Sequence, residues 1–320
     1  MRFLLARLTR SVFLLAGVSV LSFLLMQLAP GDFFEEIKLN PQISPQTIAA
    51  LRSQFGLDRP LPVRYGLWLQ SAARGDFGYS FAYNSPVAPL LKTRVRNTAF
   101  LAGVATAIAW VLALGIGLWS AVRAGHWDDR FCTGAMSISM AVPDVLVALA
   151  LLLLATRTGV FPVGGMVSTD FDDFTFLQKA KDIGAHLALP VFALVFGLAP
   201  TLARHVRSSV AQALTAPCVQ AARAHGIAPA RILFRHVLPV AANPLISLFG
   251  ISLATLLSVS LLIEVIMSWP GLGPFFLEAI LARDVYVVIG TVLLSTVFLV
   301  AGNLIADGLL FAADPRIRKS

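Results

Sequence analysis

Six stretches of the chain are apolar over about the length of a membrane-crossing helix: residues 11–29, 99–122, 132–156, 183–203, 240–263 and 285–306. A hydrocarbon layer about 30 Å thick takes about 20 residues of helix. The only Asp, Glu, Lys or Arg within these runs is Asp144. Soluble cores alternate apolar and polar positions every few residues, and these runs do not. The pattern predicts an all-α membrane protein with six transmembrane helices. Pro143 falls inside the third predicted helix, and Pro190 and Pro200 inside the fourth. Neighbouring helices re-satisfy the carbonyls that such prolines free, so kinks are expected there.

The basic residues between the runs set the direction. With the N-terminus inside, the cytoplasmic pieces hold thirteen Lys and Arg, and the two short outer loops hold Arg157, Lys179, Lys181 and Arg283. The remaining eight fall in an outer segment of more than 60 residues, a length that crosses largely regardless of charge. Both termini are therefore expected in the cytoplasm. Arg2, Arg7 and Arg10 before the first run resemble a signal peptide. The run is too long for one, however, and no small-residue cleavage site follows, so a retained anchor is expected.

Composition narrows the function classes. The chain has 320 residues, of which 57% are hydrophobic and 13% charged, against about 25% charged in soluble domains. Its net charge of +8 sits beside the apolar runs, where lipid and topology account for it, so no nucleic acid is expected. Two cysteines, Cys132 and Cys218, exclude a disulfide framework.

The expected organisation is an anchor (1–30), an outer segment (31–97), a five-helix block (98–313) and a tail (314–320). Within the outer segment, Ser44-Pro45 reads as a helix start, with the helix ending near Gly56. A second short helix is expected over 65–73.

The loop at 204–239, between the fourth and fifth spans, holds five arginines, three histidines and no acidic residue. In the stretch Gln220, Ala221, Ala222, Arg223, Ala224 and His225 the alanines and arginine favour helix, and Gly226 suits the left-handed position that ends one. A second helix starts at Pro229 and closes at Leu238-Pro239. Two readings follow: a connector lying on anionic headgroups, or a compact element whose two small alanines fit a groove on another protein.

The loop resembles the cytoplasmic motif of ABC-type importer permeases: Glu-Ala-Ala, three residues, Gly, nine residues, Ile-x-Leu-Pro. Ala221, Ala222, Gly226, Leu238 and Pro239 match in spacing, while Gln220 replaces the acidic residue and His236 the isoleucine. Other segments resemble the first permease type of the oligopeptide/dipeptide/nickel branch. They are Leu-Ala-Pro-Gly-Asp at 28–32, Gly-Leu-Asp-x-Pro-Leu at 56–61 and Arg-Gly-Asp-x-Gly-x-Ser at 74–80. Arg-His-Val-Leu-Pro at 235–239, Trp-Pro-Gly-Leu-Gly at 269–273 and Asp-Pro-Arg-Ile-Arg at 314–318 continue the series.

The resemblance implies a type I importer permease fold and a docking surface for an ATPase at Gln220, Ala221, Ala222, Arg223, His225, Gly226, Leu238 and Pro239. It also implies a second homologous permease forming a heterodimer, two cytoplasmic ATPases carrying ATP and Mg²⁺, and a periplasmic substrate-binding protein. Peptides are the first substrate expected, with nickel, glutathione or a glycoside conjugate as alternatives. The chain has no Gly-Lys pair, hence no phosphate-cradling loop of its own, and it is not expected to be an enzyme.

Asp144 is costly at a span centre, by about 2.5–3.5 kcal/mol, and should face the bundle interior or water. It is read as lining the translocation path, against a local hydrogen bond without transport function. Glu264 and Asp307, near span ends, are expected in interfacial solvation or capping. An intramembrane hydrolase would need a Gly-x-Ser-x-Gly or His-Glu-x-x-His string, and neither is present. A channel or ion-coupled carrier is disfavoured by the lack of inverted-repeat symmetry.

Overall fold

The computed structural model describes residues 2–28 and 58–313, with Gln46, Ala50 and Ser53 as isolated positions between. The helix expected from Ser44-Pro45 to Gly56 lies mostly outside the described residues, as do residues 29–32 of the first motif, residues 56 and 57 of the second, and the 314–318 tail. The elements are α1 (Arg2–Leu28), α2 (Leu61–Ala72), β1 (Tyr79–Ser80), β2 (Ser85–Pro86), α3 (Val87–Val122), α4 (Trp127–Ala141), α5 (Asp144–Thr158) and α6 (Phe176–Leu214). There follow α7 (Pro217–Ala224), α8 (Pro229–Ile232), a π turn (Leu233–Val237), α9 (Leu238–Ile266), α10 (Leu272–Leu281) and α11 (Val285–Ala313). Among the described residues, five helical segments are long and apolar enough to cross a membrane, and the bent pair α4–α5 makes up to a sixth.

The third span departs from the expected single helix. It is broken at Val142-Pro143, and its halves are bent by 87°. Proline disfavours the α conformation in the residue before it, and Val142 is extended, with φ −93° and ψ 121°. Asp144 is therefore the first residue of α5 and not a mid-helix aspartate. Pro190 and Pro200, by contrast, are accommodated inside α6.

The fifth span differs too. Leu238-Pro239 does not close the preceding helix, because Pro229–Ile266 runs as one span. The π turn absorbs the proline: Leu238 N–H donates to Leu233 O, a five-residue bond. Such one-turn widenings inside helices are a known way to take an irregularity.

The chain falls into two compact units. One comprises residues 1–97 and 270–298. Its core centres on Phe23, Trp68 and Ile289. Ser19 of α1 and Tyr65 of α2 share a hydrogen bond of 2.8 Å, and Trp68 Nε1–H donates to Phe77 O at 3.1 Å. The small hairpin β1–β2 is held to the start of α11: fully buried Asp284 accepts Ser80 Oγ–H at 2.7 Å and Ala82 N–H at 3.1 Å. Tyr83 donates to Glu278. Burial and that bond push the Tyr83 hydroxyl above the usual phenol range.

The other unit comprises residues 98–269 and 299–320. Ala102, Ala105, Ala109 and Ala113 of α3 share a core with Leu189, Ala193 and Leu202 of α6 and Leu256 and Ile263 of α9. Small residues let membrane helices approach closely. At Gly117 a Cβ would stand 2.7 Å from the Ala203 carbonyl and from Val206. Trp110 Nε1–H donates to Ser252 at 3.0 Å. Glu264 and Asp307 depart from the expected interfacial solvation. They are 0% and 6% exposed, because the helix ends that carry them are packed into the fold.

Candidate functional site: the loop between α6 and α9 and the break at Asp144

The loop forms two helical pieces joined by a turn, as its residues predict. After two intervening residues, Pro217 opens α7 at the first helical position, where its missing N–H costs nothing. At the other end Gly226 takes φ +73°. Its N–H donates to Arg223 O at 3.0 Å, and Ile227 N–H donates to Ala222 O at 3.2 Å. These two bonds make a Schellman cap. Pro229 then opens the next helix in the same way.

One face of α7 is built into the chain. Val219 and Ala222, three residues apart, pack with Val206, Val210 and Ala213 of α6 and with Ile232 and Val237. Gln220, Ala221, Arg223, His225 and Gly226 are exposed. The expectation that both alanines present to a groove on another protein is thus corrected for Ala222, which is 7% exposed and seats the helix. Ala221 faces outward. Pro239 is exposed and Leu238 half-buried. Arg231, Phe234 and Arg235 are also exposed, so the outward surface is basic with one aromatic ring. Phe234 did not stand out in the sequence, since its exposure depends on the π turn.

Beside the α4–α5 break, Asp144 is half-buried. Its carboxylate lies against Gly197 of α6, where a Cβ would overlap it. One turn earlier in α4, Ser139 Oγ–H donates to Phe196 O at 3.3 Å. That carbonyl is the one Pro200 leaves free, since proline offers no N–H four residues on. The broken span and the proline of α6 are therefore in register. An apolar cavity of about 750 Å³ opens between α3, α4 and α6, lined by residues including Leu112, Phe131, Ala135, Phe192 and Phe196. Asp144 is not among the lining residues.

At the far end of α4 stands a buried polar cluster with no local signal in the sequence. Asp129 is 3% exposed and accepts Arg207 Nε–H at 2.6 Å and Nη2–H at 2.7 Å. It also accepts Gly125 N–H at 3.0 Å and the Ser120 hydroxyl. Residues 120, 129 and 207 belong to three helices, and no spacing along the chain announces their meeting. Among the described residues no group of His, Cys, Asp and Glu is arranged to hold a metal ion.

The chain is similar to known proteins over nearly its whole length. The family model for the binding-protein-dependent transport system inner membrane component matches residues 113–319, and that for the N-terminal part of such components matches residues 1–102. The oligopeptide transport system permease protein AppB of Bacillus subtilis is 34% identical over 319 residues, covering 98% of both chains. A Brucella ovis protein with a provisional peptide-permease name is 33% identical over 99% of both chains. Among solved structures, a chain of the inward-facing MetNI methionine ABC transporter shares the fold. Its TM-score is 0.55 at 20% identity, over 70% of this chain and 96% of that one. Sequence and fold together assign the chain to the binding-protein-dependent transport system inner membrane components, the multi-pass membrane permeases of ABC importers.

Proposed function

We propose that the chain is one of two homologous permeases in a peptide importer, with α7 as its contact for a cytoplasmic ATPase. The observation that carries this reading is the division of α7. Val219 and Ala222 hold it to its own chain, while Gln220, Ala221, Arg223, His225 and Gly226 stand outward on a surface without acidic residues. The Schellman cap fixes where that surface ends. Leu238 and Pro239 lie on the far side of the element, where the π turn runs into α9. ATP and Mg²⁺ belong on the partner ATPases, a binding protein delivers substrate from the periplasm, and both termini lie in the cytoplasm.

Peptide as the substrate is supported by the names of full-length relatives. Asp144, half-buried at a helix break, is the group in this reading that meets the cationic end of a passing substrate. The test is reconstitution of the chain with its ATPases, second permease and binding protein in vesicles, supplied with a radiolabelled tripeptide. ATP-dependent accumulation is expected. Accumulation of nickel ion or glutathione but not of any peptide would overturn the substrate assignment.

A further inference from the structure

We infer that the Asp129–Arg207 ion pair passes movement of the docking helix α7 into α4 and so to the break beside Asp144. The inference rests on the reading of α7 as the ATPase contact.

A displacement of α7 loads the end of α6 first, since Val219 and Ala222 pack on Val206, Val210 and Ala213. Arg207 belongs to that same stretch. Its guanidinium grips Asp129 in the first turn of α4 through two parallel bonds of 2.6 and 2.7 Å. Ten residues further on, about 15 Å along a helix, Ser139 holds the last turn of α4 to Phe196. Two polar contacts thus fix the position of α4 along α6.

The surface between them is apolar: Cys132 and Met136 of α4 join the same cluster as Val195, Ala199 and Leu202 of α6. Apolar contact is non-directional and lets helices slide. A forked guanidinium–carboxylate pair is geometrically specific and does not. Beyond Ser139 the chain breaks at Val142-Pro143, so a shift of α4 arrives where the helix is interrupted and where Asp144 lies against Gly197.

A purely structural role gives a different expectation. Buried ion pairs are often replaceable by apolar residues of similar volume with no loss of stability. Such a replacement would then leave transport mechanics intact. Asp129 and Arg207 are in our inference positioning residues, and stability alone does not test them.

The experiment uses the assembled transporter, with both permeases and both ATPases, in lipid nanodiscs. Cys132→Ser and Cys218→Ser provide the background, and Val142→Cys, exposed at the break, is the reporter. Its alkylation rate by N-ethylmaleimide is measured without nucleotide and after trapping with ATP, Mg²⁺ and vanadate. The parent is expected to show a rate change of about fivefold or more, the size of an ordinary coupling between sites. In Asp129→Leu/Arg207→Met that change should fall below about twofold while ATP hydrolysis continues. Arg207→Lys, which keeps the charge and loses the fork, should fall between. An undiminished change in the apolar pair overturns the inference, as does a hydrolysing parent with no change at position 142. A parent that never binds the ATPases sinks the docking reading first, and this inference with it.

Discussion

The Asp144 carboxylate rests on Gly197, in the space that the Cβ of any other residue would fill. The contact joins the start of α5 to the middle of α6, and glycine is required there for room and not for backbone conformation. Gly197→Ala must push the carboxylate or the helix aside. Overpacking of this kind costs about 1–3 kcal/mol. Asp144→Ala removes the obstructing atoms, so in Gly197→Ala/Asp144→Ala the two costs should not add. Thermal unfolding of the four proteins in one detergent measures the cycle. Simple additivity would mean that the two residues are not in contact.

Ala221 and Ala222 should respond differently to enlargement, although they are neighbours in a helix of eight residues. Ala221→Trp extends from the exposed face and should abolish ATPase association while the permease still assembles in the membrane. Ala222→Trp enters the core shared with Val206 and Val210. It should lower folded yield, by about 1–3 kcal/mol of strain. Gly226→Pro removes the N–H of the Schellman cap and forces a negative φ, so it should lose both docking and stability. Co-purification of the ATPase, scored per amount of folded permease, separates the cases. Equal loss of docking per folded molecule in both alanine variants would count against the two-faced helix.

How much of this was legible in the sequence varies with how local each cause is. The C-terminal end of α7 and the start of α8 followed from Gly226 and Pro229, since turns and caps depend on residues next to them, and Pro217 offered the same signal at the other end without being used. The six apolar runs gave the spans for the same reason. The break at Val142-Pro143 was read only as a kink, because prolines are tolerated in spans. Pro143 extends Val142 locally, and contacts on either side accompany the full break: Ser139 bonds to the carbonyl freed by Pro200, and Asp144 lies against Gly197. Leu238-Pro239 was read as a helix end, whereas a π turn carries the helix through. Ala222 was misplaced although its three-residue spacing from Val219 was visible, a pattern too short to define a face by itself. Asp129 and Arg207 were beyond reach, being 78 residues apart and joined only by packing.

Asp284 should prove to be the fastening of the β1–β2 hairpin. Its carboxylate serves the Ser80 hydroxyl and the Ala82 amide while fully buried. Asp284→Ala leaves those donors without their acceptor, at about 1–3 kcal/mol for each buried group. The loss should be largest at the hairpin, because neither Ser80 nor Ala82 belongs to the cluster of Phe23, Trp68 and Ile289. Hydrogen exchange at the Ala82 amide should therefore accelerate far more than exchange within α2. Uniform acceleration across α2 and the hairpin would show that the hairpin is not held separately.

The proposed topology puts α2 and the hairpin outside, which is open to a direct check. Ala72 contacts the Trp68 core, but Ala73 is exposed at the end of α2. Ala73→Cys, in a background without Cys132 and Cys218, should react in intact cells with an impermeant maleimide from the periplasmic side. Labelling that appears only after the inner membrane is breached would reverse the topology.

Asp144 carries the most exposed prediction. A carboxylate within a membrane span is expensive and ordinarily faces a polar path or a partner group. Here it opens a helix, and the positive end of the α5 dipole favours the negative charge there by about 0.3–1 kcal/mol. The charge is therefore tolerated by α5 itself, while the side chain is only partly covered by the fold. Asp144→Asn keeps the shape and the place against Gly197 and removes only the charge. If the carboxylate pairs transiently with a substrate amine, uptake of an N-terminally free tripeptide should slow several-fold, by roughly the 5- to 150-fold range of ordinary coupling energies. Uptake of its N-acetylated counterpart should hardly change. Asp144→Ala should slow both, because it also empties the contact with Gly197. Equal uptake of free and acetylated peptides by wild type and by Asp144→Asn would leave the carboxylate with the structural contact alone.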